Sequence, residues 1–166
     1  MIREKRKAFV FDFDDTLAFT DARVHVLSPC KSQVMASLTP QEFNSVKLKK
    51  GESFDFSDFD RANLILDGKP SKLIDLAKDV FAEGHSVFIL TARNDCVASA
   101  IAEWLVDFGI VAREVHCVGE KGTDIAKAKR MILLAIIENF DKVWFFDDDA
   151  RNIELAQDLN LKAKKV

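Results

Sequence analysis

The chain has 166 residues, 48% of them hydrophobic and 31% charged, with 24 Lys and Arg against 27 Asp and Glu for a net charge of -3. That is enough for one compact domain with a substantial core and too little for two, so residues 1–166 read as a single domain. The mixture excludes a disordered or fibrous chain, and the acidic balance removes the global basic excess that marks a dedicated nucleic-acid binder.

The first seven residues are basic, but the apolar stretch after them is broken by Asp12, Asp14 and Asp15, which the core of a signal peptide does not tolerate. The longest apolar runs, 131–137 and 143–146, fall short of the ~20 residues that span a bilayer. A cytoplasmic protein with no membrane contact is expected. Cys30, Cys96 and Cys117 are odd in number and form no C-x-x-C, so they read as ordinary buried or half-buried thiols.

Residues 8–11, Ala-Phe-Val-Phe, are apolar without helical spacing and end abruptly in acid, the pattern of a strand buried on both faces. Residues 18–69 then break the regular rhythm. Within them 24–27 fits a short strand, Thr39-Pro40-Gln41-Glu42 is a capping-box start for a brief helix, and Phe54, Phe56 and Phe59 scatter among acidic residues. This stretch reads as a small cap or flap inserted after the first strand, over the sheet edge. A helix follows from Pro70 and Ser71, carrying Leu73, Ile74, Leu76, Ala77, Val80 and Phe81 at helical spacing, and Gly84 stops it.

Residues 86–90 repeat the strand pattern. A second helix follows Asp95, with Val97, Ile101, Trp104, Leu105 and Phe108 on one side and Gly109 as its stop. A shorter strand at 115–118, a helix from Thr123 or Asp124 to Glu138, a fourth strand at 142–146, a helix at 152–159 and a last strand at 161–166 complete the order. Strands alternating with helices pair in parallel through right-handed crossovers. The expected class is therefore α/β, a Rossmann-like parallel sheet flanked by helices, with a small insertion after the first strand.

The first strand ends Asp12-Phe13-Asp14-Asp15-Thr16 and the fourth ends Asp147-Asp148-Asp149. In an open parallel sheet ligands bind at the carboxyl ends of strands, so both acidic clusters meet at one rim. Carboxylates gathered there repel unless a cation neutralises some of them or some keep their protons. Helix capping accounts for one such aspartate but poorly for two clusters. Oxygen donors without His or Cys point to a hard ion, Mg²⁺ most naturally.

Thr91 closes the second strand with a hydroxyl, and Lys127 and Lys129 lie on the helix after the third. A hydroxyl and an ammonium beside aspartates and Mg²⁺ are the parts of a phosphoryl-transfer site. Lys129 shares a stripe with Ile125, Ile132, Leu133 and Ile136, which carries it inward, whereas Lys127 goes with Met131 and Leu134. Lys129 is the favoured site lysine, ahead of Lys127 and then Lys121. His25, His85 and His116 share no spacing and read as structural.

In order, Asp12-Phe-Asp-Asp-Thr16, Thr91, a helical lysine and Asp147-Asp148 resemble the four motifs of the haloacid dehalogenase-like (HAD) phosphohydrolase superfamily, in a minimal-cap form. The match spans residues 8–17 and 71–159 and leaves the insertion out. The resemblance implies that Asp12 is the nucleophile, forming an aspartyl-phosphate while also binding Mg²⁺. It implies that Asp14 is the general acid and then base, its backbone carbonyl a further metal ligand. Thr16 would position Asp14 beside the substrate, Thr91 would bind a phosphoryl oxygen, and Asp147 and Asp148 would complete the metal shell. An aspartate at position 14 resembles the phosphatases of the superfamily rather than the dehalogenases. Arg93, following Thr91, implies a substrate contact or a helix-entry cap, and Lys127 a further substrate contact.

The implied activity is a Mg²⁺-dependent phosphoric monoester hydrolase. Residues 18–69 are too few for a full helical cap, so an open site is expected, suited to a nucleotide or the phosphorylated end of a nucleic acid, with Lys47, Lys49, Lys50 and Arg61 as steering charges. The alternatives are a phosphatase of small metabolites or phosphoproteins, and a non-catalytic phosphate-binding or receiver-like module. A receiver places a lone acceptor aspartate on a middle strand, which the Asp-x-Asp-x-Thr spacing does not match.

Overall fold

In the computed structural model, which describes residues 6–120 and 122–166, the apolar run after Arg6 forms β1 (Lys7–Phe11). An insertion follows, with β2 (Ala18–Phe19), β3 (Val24–Leu27), β4 (Val34–Leu38), α1 (Pro40–Phe43), β5 (Ser53–Asp55), α2 (Ala62–Leu66) and β6 (Lys69–Pro70). The alternating part then resumes with α3 (Leu73–Ala82), β7 (Ser86–Thr91), α4 (Ala98–Asp107), β8 (Glu114–Cys117), α5 (Ile125–Asn139), β9 (Lys142–Asp147), α6 (Ala150–Ala156) and β10 (Lys162–Lys165).

Ala8, Phe9, Val10 and Phe11 are all buried. Alternate strand residues face opposite sides, so Phe9 and Phe11 enter one apolar cluster and Ala8 and Val10 another. The first cluster is closed by α3 and α4 through Ile74, Ala77, Val80, Ile101, Trp104 and Leu105. The second is closed by α5 and α6 through Leu133, Ile136, Ile153 and Ala156. Helices on both faces explain why the strand sequences are continuously apolar.

The five-stranded sheet has the order β10-β9-β1-β7-β8 with every pair parallel. From β1 the chain steps outward to β7 and β8, then crosses back to β9 and β10 on the other side. The order reverses between β1 and β9, and a crevice opens where it does, at the carboxyl ends of those two strands. The amide of Asp12 donates to the carbonyl of Phe146 at 2.9 Å, which prolongs the pairing and sets Asp12 beside Asp147.

α6 runs Ala150–Ala156 rather than over the expected 152–159, because the Asp149 side chain accepts from the Arg151 amide and starts the helix earlier. Pro70 belongs to β6 instead of opening α3. Ser71, one residue before the N-cap position Lys72, has a hydroxyl that accepts from the Leu73 amide at 3.2 Å. Gly84, at φ +89°, carries the chain out of α3.

The insertion is a three-stranded antiparallel sheet in the order β4-β3-β5. Val24, Val26 and Leu38 form a buried cluster of that sheet, with Phe43, Val46, Phe54 and Phe59 packed around them, while Ile65 of α2 is buried in the first cluster of the main core. The capping box at Thr39 and Glu42 forms as its sequence predicts, with both reciprocal bonds at 3.2 Å. Entry and exit are tied together, since Ala18 and Phe19 pair with Pro70 and Lys69, and the Ser71 amide donates to the Leu17 carbonyl at 2.7 Å. No helix among the described residues is long and apolar enough to cross a membrane. The thiols are free, and Cys30 and Cys96 are exposed rather than buried.

Candidate active site

The chain leaves β1 in a tight loop built on Phe13. Its side chain is buried edge-on against Trp104, with ring centroids 5.4 Å apart, and its carbonyl accepts from the amides of Leu17 and Ala18. Asp15 takes the left-handed conformation this turn requires, at φ 60°, which a short polar side chain tolerates. Burial, with Asp148 and Asp14 close by, pushes the Asp15 carboxyl up to about 6.

Asp12 lies at the switch point and is 6% exposed. Lys129, buried on α5, donates from Nζ to Asp12 Oδ1 at 2.9 Å and to Asp147 Oδ2 at 2.7 Å. Thr16 donates to Asp12 Oδ2 at 3.1 Å and reaches Asp148 Oδ1 at 3.4 Å. Asp147, at the end of β9, also accepts from the Asp149 amide at 2.8 Å and from Asn152 Nδ2 at 3.0 Å. Carboxylate oxygens of Asp12, Asp147 and Asp148 all lie within 4.8 Å of one another, the one such group among the described residues.

Burial raises the Asp12 carboxyl well above its ordinary range; Lys129 opposes the rise while Asp147 and Asp148 add to it. Asp148 is raised as well, first by burial. Burial works against the charge on Lys129, but Asp12 and Asp147 outweigh it and hold the ammonium above its usual value. One ammonium thus faces three carboxylates. The imbalance and the all-oxygen donor set fit a hard divalent cation, with Asp12, Asp147 and Asp148 as its side-chain ligands.

Thr91 ends β7 with 1% exposure, and its hydroxyl oxygen accepts from the Arg93 amide at 3.2 Å, which leaves its own proton for an incoming acceptor. Arg93 is turned the other way. Its Nε and Nη2 grip both oxygens of Asp14 at 2.9 and 2.7 Å, and Nη1 donates to the Phe59 carbonyl at 2.8 Å, with the Phe59 ring 4.9 Å from the guanidinium. The residue is 3% exposed and every arm is engaged. Asp14 is therefore held toward the insertion by its side chain and stands apart from the three clustered carboxylates.

Lys127 is not brought into the site. Its side chain is 77% exposed and points toward Asp124 at 3.9 Å. Lys121 lies outside the described residues. Asp149 caps α6 and pairs with Arg151 at 2.8 Å, which separates it from the Asp147–Asp148 pair.

Two contributors carried no sequence signal. Asn152, in the first turn of helix α6, reads as an ordinary polar residue in sequence but is buried and donates to Asp147. Gly119 donates its amide to the Arg93 carbonyl at 3.0 Å and packs so closely that a Cβ there would collide with the Ala92 carbonyl oxygen and come within 2.7 Å of the Arg93 carbonyl carbon. Only glycine allows the loops after β7 and β8 to approach this near.

Asp12, Lys129, Asp147, Asp148 and Asn152 line a cleft of about 950 Å³, and Thr16 and Thr91 lie buried behind it. Phe43, Phe56 and Phe59 of the insertion make one wall, and residues of the 122–126 turn and of α6 make the other.

No family model and no curated protein matches the chain. Solved structures do. A chain of the Pnkp1/Rnl/Hen1 RNA repair complex superposes with TM-score 0.61 at 15% identity, over 98% of this chain and 42% of that one, so this chain spans less than half its length. A HAD-family enzyme of Bacteroides thetaiotaomicron, in complex with magnesium and inorganic phosphate, superposes with TM-score 0.53 at 18% identity, over 96% and 93%. A haloacid dehalogenase-like family hydrolase of Streptococcus pneumoniae superposes with TM-score 0.54 at 11% identity, over 95% and 83%. The motif order and these superpositions agree: the chain has the haloacid dehalogenase-like fold.

Proposed function

We propose that the protein is a Mg²⁺-dependent phosphomonoesterase that works through an aspartyl-phosphate on Asp12, with nucleotides or phosphorylated nucleic-acid ends as its substrates. The observation that carries this reading is the buried Asp12 carboxylate at the switch point, bonded to Lys129 and within 4.8 Å of Asp147 and Asp148. The superposed Bacteroides enzyme binds magnesium and phosphate, and the superposed repair complex acts on RNA, which supports the same reading.

An Asp12 oxygen attacks phosphorus as the bond to the leaving oxygen breaks, and Asp14 gives that oxygen its proton. Asp14 then takes a proton from the water that attacks phosphorus, freeing phosphate and restoring the Asp12 carboxylate. Lys129 holds Asp12 and Asp147 in place, and Thr91 donates its hydroxyl proton to a phosphoryl oxygen. Arg93, with both prongs on Asp14, orients the acid–base residue instead of contacting substrate. Asp12, Asp147 and Asp148 would hold a Mg²⁺ ion, which when bound would neutralise the carboxylate cluster and supply charge for the phosphoryl oxygens. Residues 18–69 serve as a small cap over the cleft.

The test is hydrolysis of an aryl phosphate with Mg²⁺ and with excess chelator, in wild type and Asp12→Asn. Chelation and the substitution should each lower turnover at least about a hundredfold, and Asp14→Asn should accumulate phosphoenzyme. Full activity of Asp12→Asn moves the nucleophile elsewhere, and a single uptake of phosphate without turnover makes the protein a receiver.

A further inference from the structure

The cleft is larger than a phosphate requires and lies within the range of about 300–1,000 Å³ of small-molecule sites. Beyond the phosphate position it is walled by the insertion. Phe43 packs edge-on against Phe54 and Phe56, at 4.9 and 5.4 Å between centroids and 75° and 83° between planes. Phe56 is thus held from behind by two rings while 48% of its surface stays open. A fixed aromatic face at the mouth of a polar cleft suits a flat ring.

The charges of the cleft decide what that ring belongs to. Among the described residues, the lining carries eight carboxylates and three cations. Each cation is already committed: Lys129 to Asp12 and Asp147, Arg93 to Asp14, and Arg151 to Asp149. A divalent ion on the floor balances part of the excess but leaves the lining negative. One phosphate is received there, and any further phosphate of a strand meets carboxylates with no described cation to answer it. Lys47, Lys49 and Lys50 are exposed but do not line the cleft.

From these two observations we infer that Phe56, backed by Phe43, is the subsite for the base of a nucleoside monophosphate, and that the acidic lining selects the mononucleotide over the phosphorylated end of a strand. This rests on the phosphatase reading and narrows its substrate.

The test measures kcat/KM with Mg²⁺ for 3′- and 5′-nucleoside monophosphates, the same nucleotides at the phosphorylated ends of short oligonucleotides, and ribose 5-phosphate. Wild type should prefer a mononucleotide about tenfold over its oligonucleotide counterpart. Phe56→Ala, an exposed change whose folding is checked by an unaltered Tm, should raise KM for the mononucleotide about tenfold, the effect of losing one base–aromatic stack, with kcat and the ribose 5-phosphate kinetics unchanged. Phe56→Tyr should restore the wild-type KM. A tenfold preference for oligonucleotide ends, or an equal effect of Phe56→Ala on ribose 5-phosphate, overturns this inference and leaves the phosphatase reading standing. No hydrolysis of any of these esters overturns both.

Discussion

Asp12, Asp147 and Lys129 are 6%, 0% and 2% exposed, and each makes at least two hydrogen bonds, whereas four of the five residues of β4 in the insertion are exposed. The rim rests on two large apolar clusters that lock β1 and β9 from both faces. The three-stranded sheet of the insertion rests on Val24, Val26 and Leu38 and a ring of phenylalanines. Groups that need fixed geometry are built into the rigid part, and groups that need only to present a surface are built into the lighter one. Substitutions at the rim should therefore act on turnover and global stability together, and those in the insertion on substrate affinity and local opening.

The strongest way to break this comparison is at the lysine. Lys129→Ala leaves two buried carboxylates without their partner and should cost about 3–5 kcal/mol as well as nearly all turnover. Lys127→Ala, two residues away on the exposed face, should leave Tm and turnover unchanged. Equal effects in thermal melts and aryl-phosphate assays would remove the distinction between the two positions.

Arg93 joins the two regions, and its loss is the next largest effect. Arg93→Lys keeps the charge but cannot grip both oxygens of Asp14 and the Phe59 carbonyl at once, so it should cost about 1.5–3 kcal/mol and lower kcat with little change in KM. A rise in KM at constant kcat would show that the guanidinium touches substrate after all.

Leu38→Ala tests the insertion. Deleting a core leucine costs about 2–5 kcal/mol where the whole fold depends on it. Here the loss should appear as faster amide exchange in β3, β4 and β5, with the exchange of β1, β7 and β9 unchanged. Loss of protection throughout would make the insertion part of one cooperative unit with the rim.

The smallest effect is on pH. Asp12, Asp15 and Asp148 all hold their protons more tightly folded than unfolded, Asp15 up to about 6. The native state then binds more protons than the unfolded one, so stability is fully present below the ordinary carboxylate range and falls as pH rises through it toward 6 and beyond. Metal-free protein should melt at a lower temperature at pH 7 than at pH 5, and Mg²⁺ should recover the difference at pH 7. A melting temperature that rises with pH in chelator would contradict the crowding of these carboxylates.

Much of this was legible in sequence where one residue's neighbours decide its fate. The continuous apolar strands ending in acid marked β1 and β9, and the helical register placed Lys129 inward and Lys127 outward. The bidentate partner of Arg93 was not legible, because Asp14 is 79 positions away and only the fold brings them together. β4 carries no sequence signal, because an edge strand with both faces open shows no alternation. Asp149 reads as a third acid beside the Asp147–Asp148 pair, and only the structure shows that it caps α6.

The two ends of the insertion meet. Ala18 pairs with Pro70, and the Ser71 hydroxyl donates to the Thr16 carbonyl at 2.5 Å, so the chain leaves the alternating part of the fold and rejoins it, just before α3, at one point. To the parallel sheet, everything from residue 20 to residue 68 is a loop of almost no span, and loops closed by such a stem tolerate changes of length at little entropic cost. A graft made within this stem that keeps α2, whose Ile65 fills the first apolar cluster, would leave the strand that carries Asp12 where it is. The fold therefore provides a socket in which the segment over the cleft is interchangeable and the strand that carries Asp12 is not.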